Sequence, residues 1–245
     1  MKLAISHPWN LTPSEAKALQ LQLAARVITE TTFEPADVRT VAGIDVSIRE
    51  GRAWAAVVVL SFPDLQPVAL ALSNAPADFP YIPGLLTFRE GPSVLAAFER
   101  LRAWPDLLVF DGQGIAHPRR IGLAAHLGLM LDRPSIGCAK SRLTGSYQEP
   151  GEAVGDWTPL FDGQETIGAV VRTRTRVKPV FVSIGHRIDL PTAVDLTLRC
   201  TRGFRLPETT RYAHKAAGGA ELALSPRLSL EDVNTIPGAP PGAKR

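Results

Sequence analysis

Residues 107–114 read Leu-Leu-Val-Phe-Asp-Gly-Gln-Gly: four consecutive apolar residues, an aspartate, then two glycines around a glutamine. So short an apolar run, closed by turn residues, predicts a strand over Asp106–Phe110 buried on both faces, the habit of parallel sheets. Helical spacing follows over Arg119–Leu131, and Ser135–Cys138 is a second short apolar run. Strand, helix and strand in that order imply parallel neighbours joined by a right-handed crossover. Asp111 then stands at the carboxyl edge of the sheet, where α/β proteins place their ligands.

Upstream, Thr40–Ile48, Ala53–Phe62 and Pro67–Ser73 are β-rich runs separated by the turn pairs Glu50-Gly51 and Pro63-Asp64. Turns this short predict an antiparallel three-strand meander. Before it, Thr12-Pro13-Ser14-Glu15 is a capping box with proline at the first helical position, and an apolar stripe through Leu19, Leu23, Val27 and Ile28 predicts a helix over 13–30. Residues 74–92 read as irregular, and Ser93–Ala103 as a helix. Downstream, Gln164–Arg187 predicts two strands broken at Lys178-Pro179, with Arg172, Arg174 and Arg176 at period two on one side that cannot be core. Helices are expected over Pro191–Cys200 and Pro207–Ala217, and a disordered Pro-rich tail over 221–245. The sum is a single α/β domain over 1–220, a mixed central sheet of antiparallel meander plus parallel strands flanked by helices.

The chain has 245 residues, 45% hydrophobic and 21% charged, enough to build its core without staples. Two cysteines, Cys138 and Cys200, are too few for a disulfide framework and have no zinc-site spacing. No signal-peptide core or eighteen-residue apolar stretch occurs, so a cytoplasmic protein with no membrane partner is expected. The net charge is +3, but residues 140–215 hold twelve Lys/Arg against eight Asp/Glu while the rest hold fifteen against sixteen. A basic face of this kind suits a polyanion; a merely solvated surface is the alternative.

Three carboxylates can meet in such a fold. Asp45 lies in Gly-Ile-Asp-Val-Ser at the middle of the first strand, Asp111 ends the parallel strand, and Glu90 precedes the helix between them. Taken singly, each has an ordinary reading: a lysine partner, a turn cap, a helix cap. If the first and fourth strands are neighbours, however, all three converge. Carboxylates at close range repel, so a stable cluster usually holds hard cations, Mg²⁺ or Mn²⁺. Two such ions activate phosphoryl transfer, and the basic excess supplies a track for a phosphate backbone. The arrangement resembles the ribonuclease H-like nuclease layout.

Four longer motifs sharpen this: PYIPGLLTFREGP at 80–92, LLVFDGQGIAHPRRIGLA at 107–124, IGCAKSRLTG at 136–145 and GFRLPETTRYAH at 203–214. Together they resemble endonuclease V, the deoxyinosine-directed repair nuclease, over about residues 12–217. The resemblance implies a Mg²⁺-dependent nick (Mn²⁺ substituting) at the second phosphodiester 3′ of deoxyinosine in DNA, leaving 3′-hydroxyl and 5′-phosphate ends. It implies Asp45, Glu90 and Asp111 as metal ligands, His214 as a fourth active-site position and Lys140 as the lysine near the scissile phosphate. Tyr81, with Pro83 stiffening its loop, matches the strand-separating wedge. Gly84, Gly112, Gly114 and Gly122 fall in or beside the lesion-pocket segments, and Arg89, Arg119, Arg120, Arg142 and Arg205 are candidate phosphate contacts. His117 and His126 fit no pattern. A monomer is expected. An inosine-directed ribonuclease, a junction resolvase of the same fold, and a catalytically silent nucleic-acid-binding module are the competing readings.

Overall fold

The computed structural model describes residues 3–225, so the predicted tail lies outside the described residues except for 221–225. Eight strands form one mixed sheet: β1 (Thr40–Arg49), β2 (Arg52–Ser61), β3 (Pro67–Pro76), β4 (Leu107–Phe110), β5 (Ser135–Ala139), β6 (Trp157–Asp162), β7 (Glu165–Val171) and β8 (Val180–His186). Their order is β3-β2-β1-β4-β5-β8-β7-β6. The antiparallel meander β1–β3 is joined through a parallel β1–β4 pairing to β4 and β5, as the sequence implied. The remaining strands continue antiparallel.

Helices α1 (Pro13–Ala24), α2 (Leu86–Phe98), α3 (Leu123–Leu131), α4 (Leu190–Arg199) and α5 (Glu208–Ala217) flank the sheet. Alternation along β1 divides the core. Val41 joins Val58, Leu60 and Val109 against Ala213 and Ala216 of α5. Ala42 and Ile44 join Val57, Val59 and Phe110 against Val94 and Phe98 of α2. Each large side chain so buried is worth roughly 1.5–3 kcal/mol, which fixes the register of the strands that carry the carboxylates.

Four expectations need correction. The helix expected over 13–30 stops at Ala24, because the backbone of Ile28 is taken instead by His186 Nδ1 and Arg187 N. Helix α2 begins at Leu86 and contains Pro92, so Glu90 lies on the helix rather than before it. Proline costs the helix one hydrogen bond, but burial of Phe88, Val94, Leu95 and Phe98 offsets it. Helix α3 begins at Leu123, since Arg120 is left-handed at φ 57° and holds 117–121 in a turn. Finally, β7 ends at Val171, so Arg172 belongs to a turn and is buried, donating to Gly151 O and pairing with Glu149 at 3.0 Å. Strand β6, with Pro159 on an edge, was not anticipated.

Candidate active site

The parallel pairing Ile44↔Phe110 puts the next residue of each strand side by side at the sheet's edge, and these are Asp45 and Asp111. Asp111 N donates to Ile44 O at 2.9 Å, which locks the two together. Helix α5 closes over this edge. It can do so because residue 43 is glycine: a Cβ there would lie 1.9 Å from Thr209 O. The approach sets His214 Nδ1 2.8 Å from Asp45 Oδ2, while Asp45 Oδ1 accepts from Val46 N. Lys140, just past β5, reaches Asp111 Oδ2 with Nζ at 2.5 Å.

One ligand atom each from Asp45, Asp111 and His214 fall within 4.8 Å of one another. Glu90 lies outside that set of three but shares its field. Burial, then Asp45 and Asp111, push the Glu90 carboxyl up to about 8. Asp45 is raised as well, by burial and then by Asp111. Helix α2 is held in place from outside, where Trp9 packs so closely on Gly91 that a Cβ would meet its ring at 2.6 Å. Among the described residues, three carboxylates and an imidazole set against Lys140, with the Arg89 guanidinium acting on Glu90, form an oxygen-rich, under-neutralised site. That donor set fits hard divalent cations.

A cavity of about 290 Å³ opens beside the cluster, lined by Tyr81, Gly84, Gly112, Gln113, Gly122 and Lys140 among others, with Pro83, Asp111 and Arg142 also on its wall. Tyr81 stands at its mouth, 69% exposed. The loop that carries Tyr81 is tethered along its length. Arg89 Nη1 donates to Ala77 O and Phe79 O, so its guanidinium braces the loop. Gly84 O accepts from Gln20 Nε2 at 3.0 Å, His117 Nε2 at 2.8 Å and Arg119 Nη2 at 2.9 Å. Burial pushes His117 down to about 4, so it is a neutral donor. In the sequence alone Gln20 carries no signal and His117 no role, and Arg89 and Arg119 read only as phosphate contacts; the fold brings Gln20, Gly84 and His117 together.

Other candidate residues go elsewhere. Gly114 does not line the cavity; its missing side chain lets Ile184 O approach within 1.9 Å of the Cβ position. Gly122 lines it, but a Cβ would also collide with Gln113 O at 2.4 Å, whereas Gly112 has ordinary space. Arg120 pairs with Asp162 and Glu165. Arg205 is spent on backbone carbonyls of Lys178, Pro179 and Lys140. Arg142 is exposed and, among the described residues, keeps only Gly145 O and the face of Tyr147. His126 is buried and pairs with His7 at 2.9 Å. No described helix is long and apolar enough to cross a membrane.

A family model described as Endonuclease V matches residues 21–215. Endonuclease V of Trichormus variabilis is 53% identical over 219 residues, 89% of this chain and 99% of that protein. Among solved structures, Endonuclease V from Streptomyces avermitilis superposes with a TM-score of 0.83 at 44% identity, covering 89% of this chain and 96% of that one. Ciona intestinalis Endonuclease V, in complex with a 23mer DNA containing an inosine followed by a ribo-adenosine, gives a TM-score of 0.76 at 29% identity over 85% of this chain and 97% of that one. With its carboxylate edge, its tethered tyrosine loop and these relatives, the chain belongs to the endonuclease V family.

Proposed function

We propose that this protein is a DNA repair endonuclease that recognises deoxyinosine and hydrolyses the second phosphodiester on its 3′ side, using Mg²⁺, with Mn²⁺ as a substitute. The observation that carries the reading is the meeting of Asp45, Asp111 and His214 within 4.8 Å, beside a 290 Å³ cavity with exposed Tyr81 at its mouth. The inosine-containing DNA held by the Ciona relative supports the substrate class.

Asp45, Asp111 and Glu90 would hold the ions, with His214 beside them. Two divalent ions at such a site supply Lewis acidity and a positive field for the phosphorus under attack. The chain's own residues do the rest. Asp45 fixes His214 through Nδ1, leaving Nε2 on a 65% exposed imidazole free to take or give a proton. Water attacks phosphorus, the P–O3′ bond breaks, and the departing 3′ oxygen takes up a proton, leaving 3′-hydroxyl and 5′-phosphate ends. Lys140, 39% exposed, can turn its ammonium from Asp111 toward a phosphate oxygen and offset the developing charge. Tyr81 fills the gap left by the displaced base, and its tethered loop keeps the ring from yielding.

The experiment is a product map on labelled 30-mers: a duplex with one deoxyinosine, its adenine counterpart, an inosine-containing RNA and a four-way junction. A single nick two phosphodiesters 3′ of deoxyinosine is expected, and indifference to inosine would overturn the reading. A second reading, an inosine-directed ribonuclease, is favoured by the ribo-adenosine that follows inosine in the Ciona complex, and faster RNA cleavage would support it.

A further inference from the structure

Lys140 and Lys178 end neighbouring antiparallel strands: Lys140 follows β5, Lys178 precedes β8, and Ala139 stands opposite Phe181 in the ladder. One guanidinium ties them together. Arg205 Nε donates to Lys178 O at 2.8 Å, and its Nη2 donates to Lys140 O at 2.5 Å and Pro179 O at 2.8 Å. From the other side, Arg172 Nη1 donates to Val177 O, pinning the turn that delivers Lys178. Two buried or half-buried arginines thus fix the backbone of both lysines.

Between these strand ends lies a second cavity of about 810 Å³, lined by Lys140, Arg142, Glu149, Lys178 and Arg205 among others. Its charges do not cancel. Glu149 is paired with Arg172, and the ammonium of exposed Lys178 forms no ion pair among the described residues. This cavity and the one beneath Tyr81 share a wall, Lys140-Ser141-Arg142. Across the sheet edge the strands β1, β4, β5 and β8 are successive neighbours, so the order of end groups is Asp45, Asp111, Lys140, Lys178. The edge runs from acid to base. Strands lie about 4.8 Å apart, which puts the start of β8 about 10 Å from the end of β4, a span of about one to three phosphates once the reach of the lysine side chain is counted.

We propose that Lys178, held beside Lys140 by Arg205, binds the phosphate backbone of the cut strand on the 3′ side of the scissile bond, one to three phosphates beyond it. The base enters on the Tyr81 side of the shared wall and the continuing strand leaves on the other. The clamp rests on the nuclease reading above. Its ligand is the phosphodiester chain, so it carries no base preference and acts on affinity and salt dependence.

The test is fluorescence anisotropy of a single-inosine duplex with Ca²⁺ in place of Mg²⁺, across 50–300 mM KCl. A set of duplexes carries a neutral methylphosphonate at each of the first three linkages beyond the cut. Lys178→Ala should weaken binding about three- to tenfold and flatten the log Kd against log salt slope by about one, while Lys178→Arg keeps wild-type behaviour. One methylphosphonate should cost the wild type a similar factor and cost Lys178→Ala nothing more. Arg102→Ala, an exposed change before β4 at the far end of the sheet, should alter neither quantity. An unchanged slope in Lys178→Ala, or additive losses from variant and methylphosphonate, would overturn the clamp. The slope is also read on an undamaged duplex, so failure of the inosine reading shows as lost discrimination in the wild type and not as a Lys178 effect.

Discussion

Asp45 and His214, 169 residues apart in sequence, meet with Oδ2 and Nδ1 2.8 Å apart, and this contact joins strand β1 to helix α5. The imidazole is 65% exposed while the carboxylate side chain is only 13% exposed, so the pair has one buried end and one end open to substrate. Replacing His214 by Ala should lower the single-turnover cleavage rate by about 10²- to 10⁴-fold, the usual cost of losing a positioned proton-transfer group. Duplex binding in Ca²⁺ should hold. Equal losses in binding and cleavage would instead assign His214 to substrate affinity.

Tyr81 is exposed on a loop anchored by Arg89, His117, Arg119 and Gln20, so its loss should cost stacking and little stability. Stacking of an aromatic on a base is worth about 1–3 kcal/mol, so Tyr81→Ala should weaken binding to an inosine duplex about ten- to hundredfold. A single-stranded inosine substrate should suffer less, because no stack has to be opened. Equal losses on both would place Tyr81 in packing.

The glycines beside the cavity divide into two kinds. Gly122→Val should unfold or destabilise the protein, since even a Cβ would meet Gln113 O at 2.4 Å and Gly114 O at 2.8 Å. At Gly112 a Cβ meets only Leu123 at 3.5 Å, so Gly112→Val should fold normally and narrow the cavity. Thermal melts and inosine cleavage separate them: Gly112→Val keeps its Tm and loses cleavage. Full inosine cleavage by Gly112→Val would remove that cavity from base recognition.

Buried histidines make stability depend on pH. Burial pushes His126 down to about 3 and His117 down to about 4, so both stay neutral in the folded chain while the unfolded chain takes up protons below the ordinary value of 6.5. Stability from these two is complete above pH 6.5 and falls on acidification toward pH 4, by about 1.4 kcal/mol per pH unit for each. Glu90 runs the other way in the metal-free protein, because its carboxyl is raised from 4.5 to about 8 and folding is favoured by acid in that range. The histidine contribution is therefore read as a difference. Urea unfolding of His126→Gln between pH 4.5 and 6.5 should show a shallower loss on acidification than wild type, and identical slopes would contradict the assignment.

Much of this fold could be read from residue patterns, because its deciding signals are local. Leu107–Phe110 is wholly buried and the turns Glu50-Gly51 and Pro63-Asp64 join adjacent strands. Once β1 and β4 are neighbours, Asp45 and Asp111 must lie together. Other features depend on tertiary partners. Pro92 reads as a breaker until the burial of α2 against the sheet is known. An arginine's spacing does not say whether it meets water or carbonyls: Arg89, Arg172 and Arg205 all turn toward backbone. His117 and Gln20 acquire a role only because Gly84 O lies between them.

If Asp45, Asp111 and His214, with Glu90 of helix α2, hold the divalent cations needed for cleavage beside inosine, activity must depend on both the metal and these side chains. That dependence is tested most directly by single-turnover cleavage of a labelled single-inosine duplex by wild type, Asp45→Asn and Asp111→Asn, each in Mg²⁺ and in EDTA, with folding checked by thermal melts. Wild type is expected to nick two phosphodiesters 3′ of inosine in Mg²⁺ alone, and either folded variant to lose about 10³-fold or more. Undiminished wild-type cleavage in EDTA, or wild-type rates from a folded Asp111→Asn, would contradict that dependence.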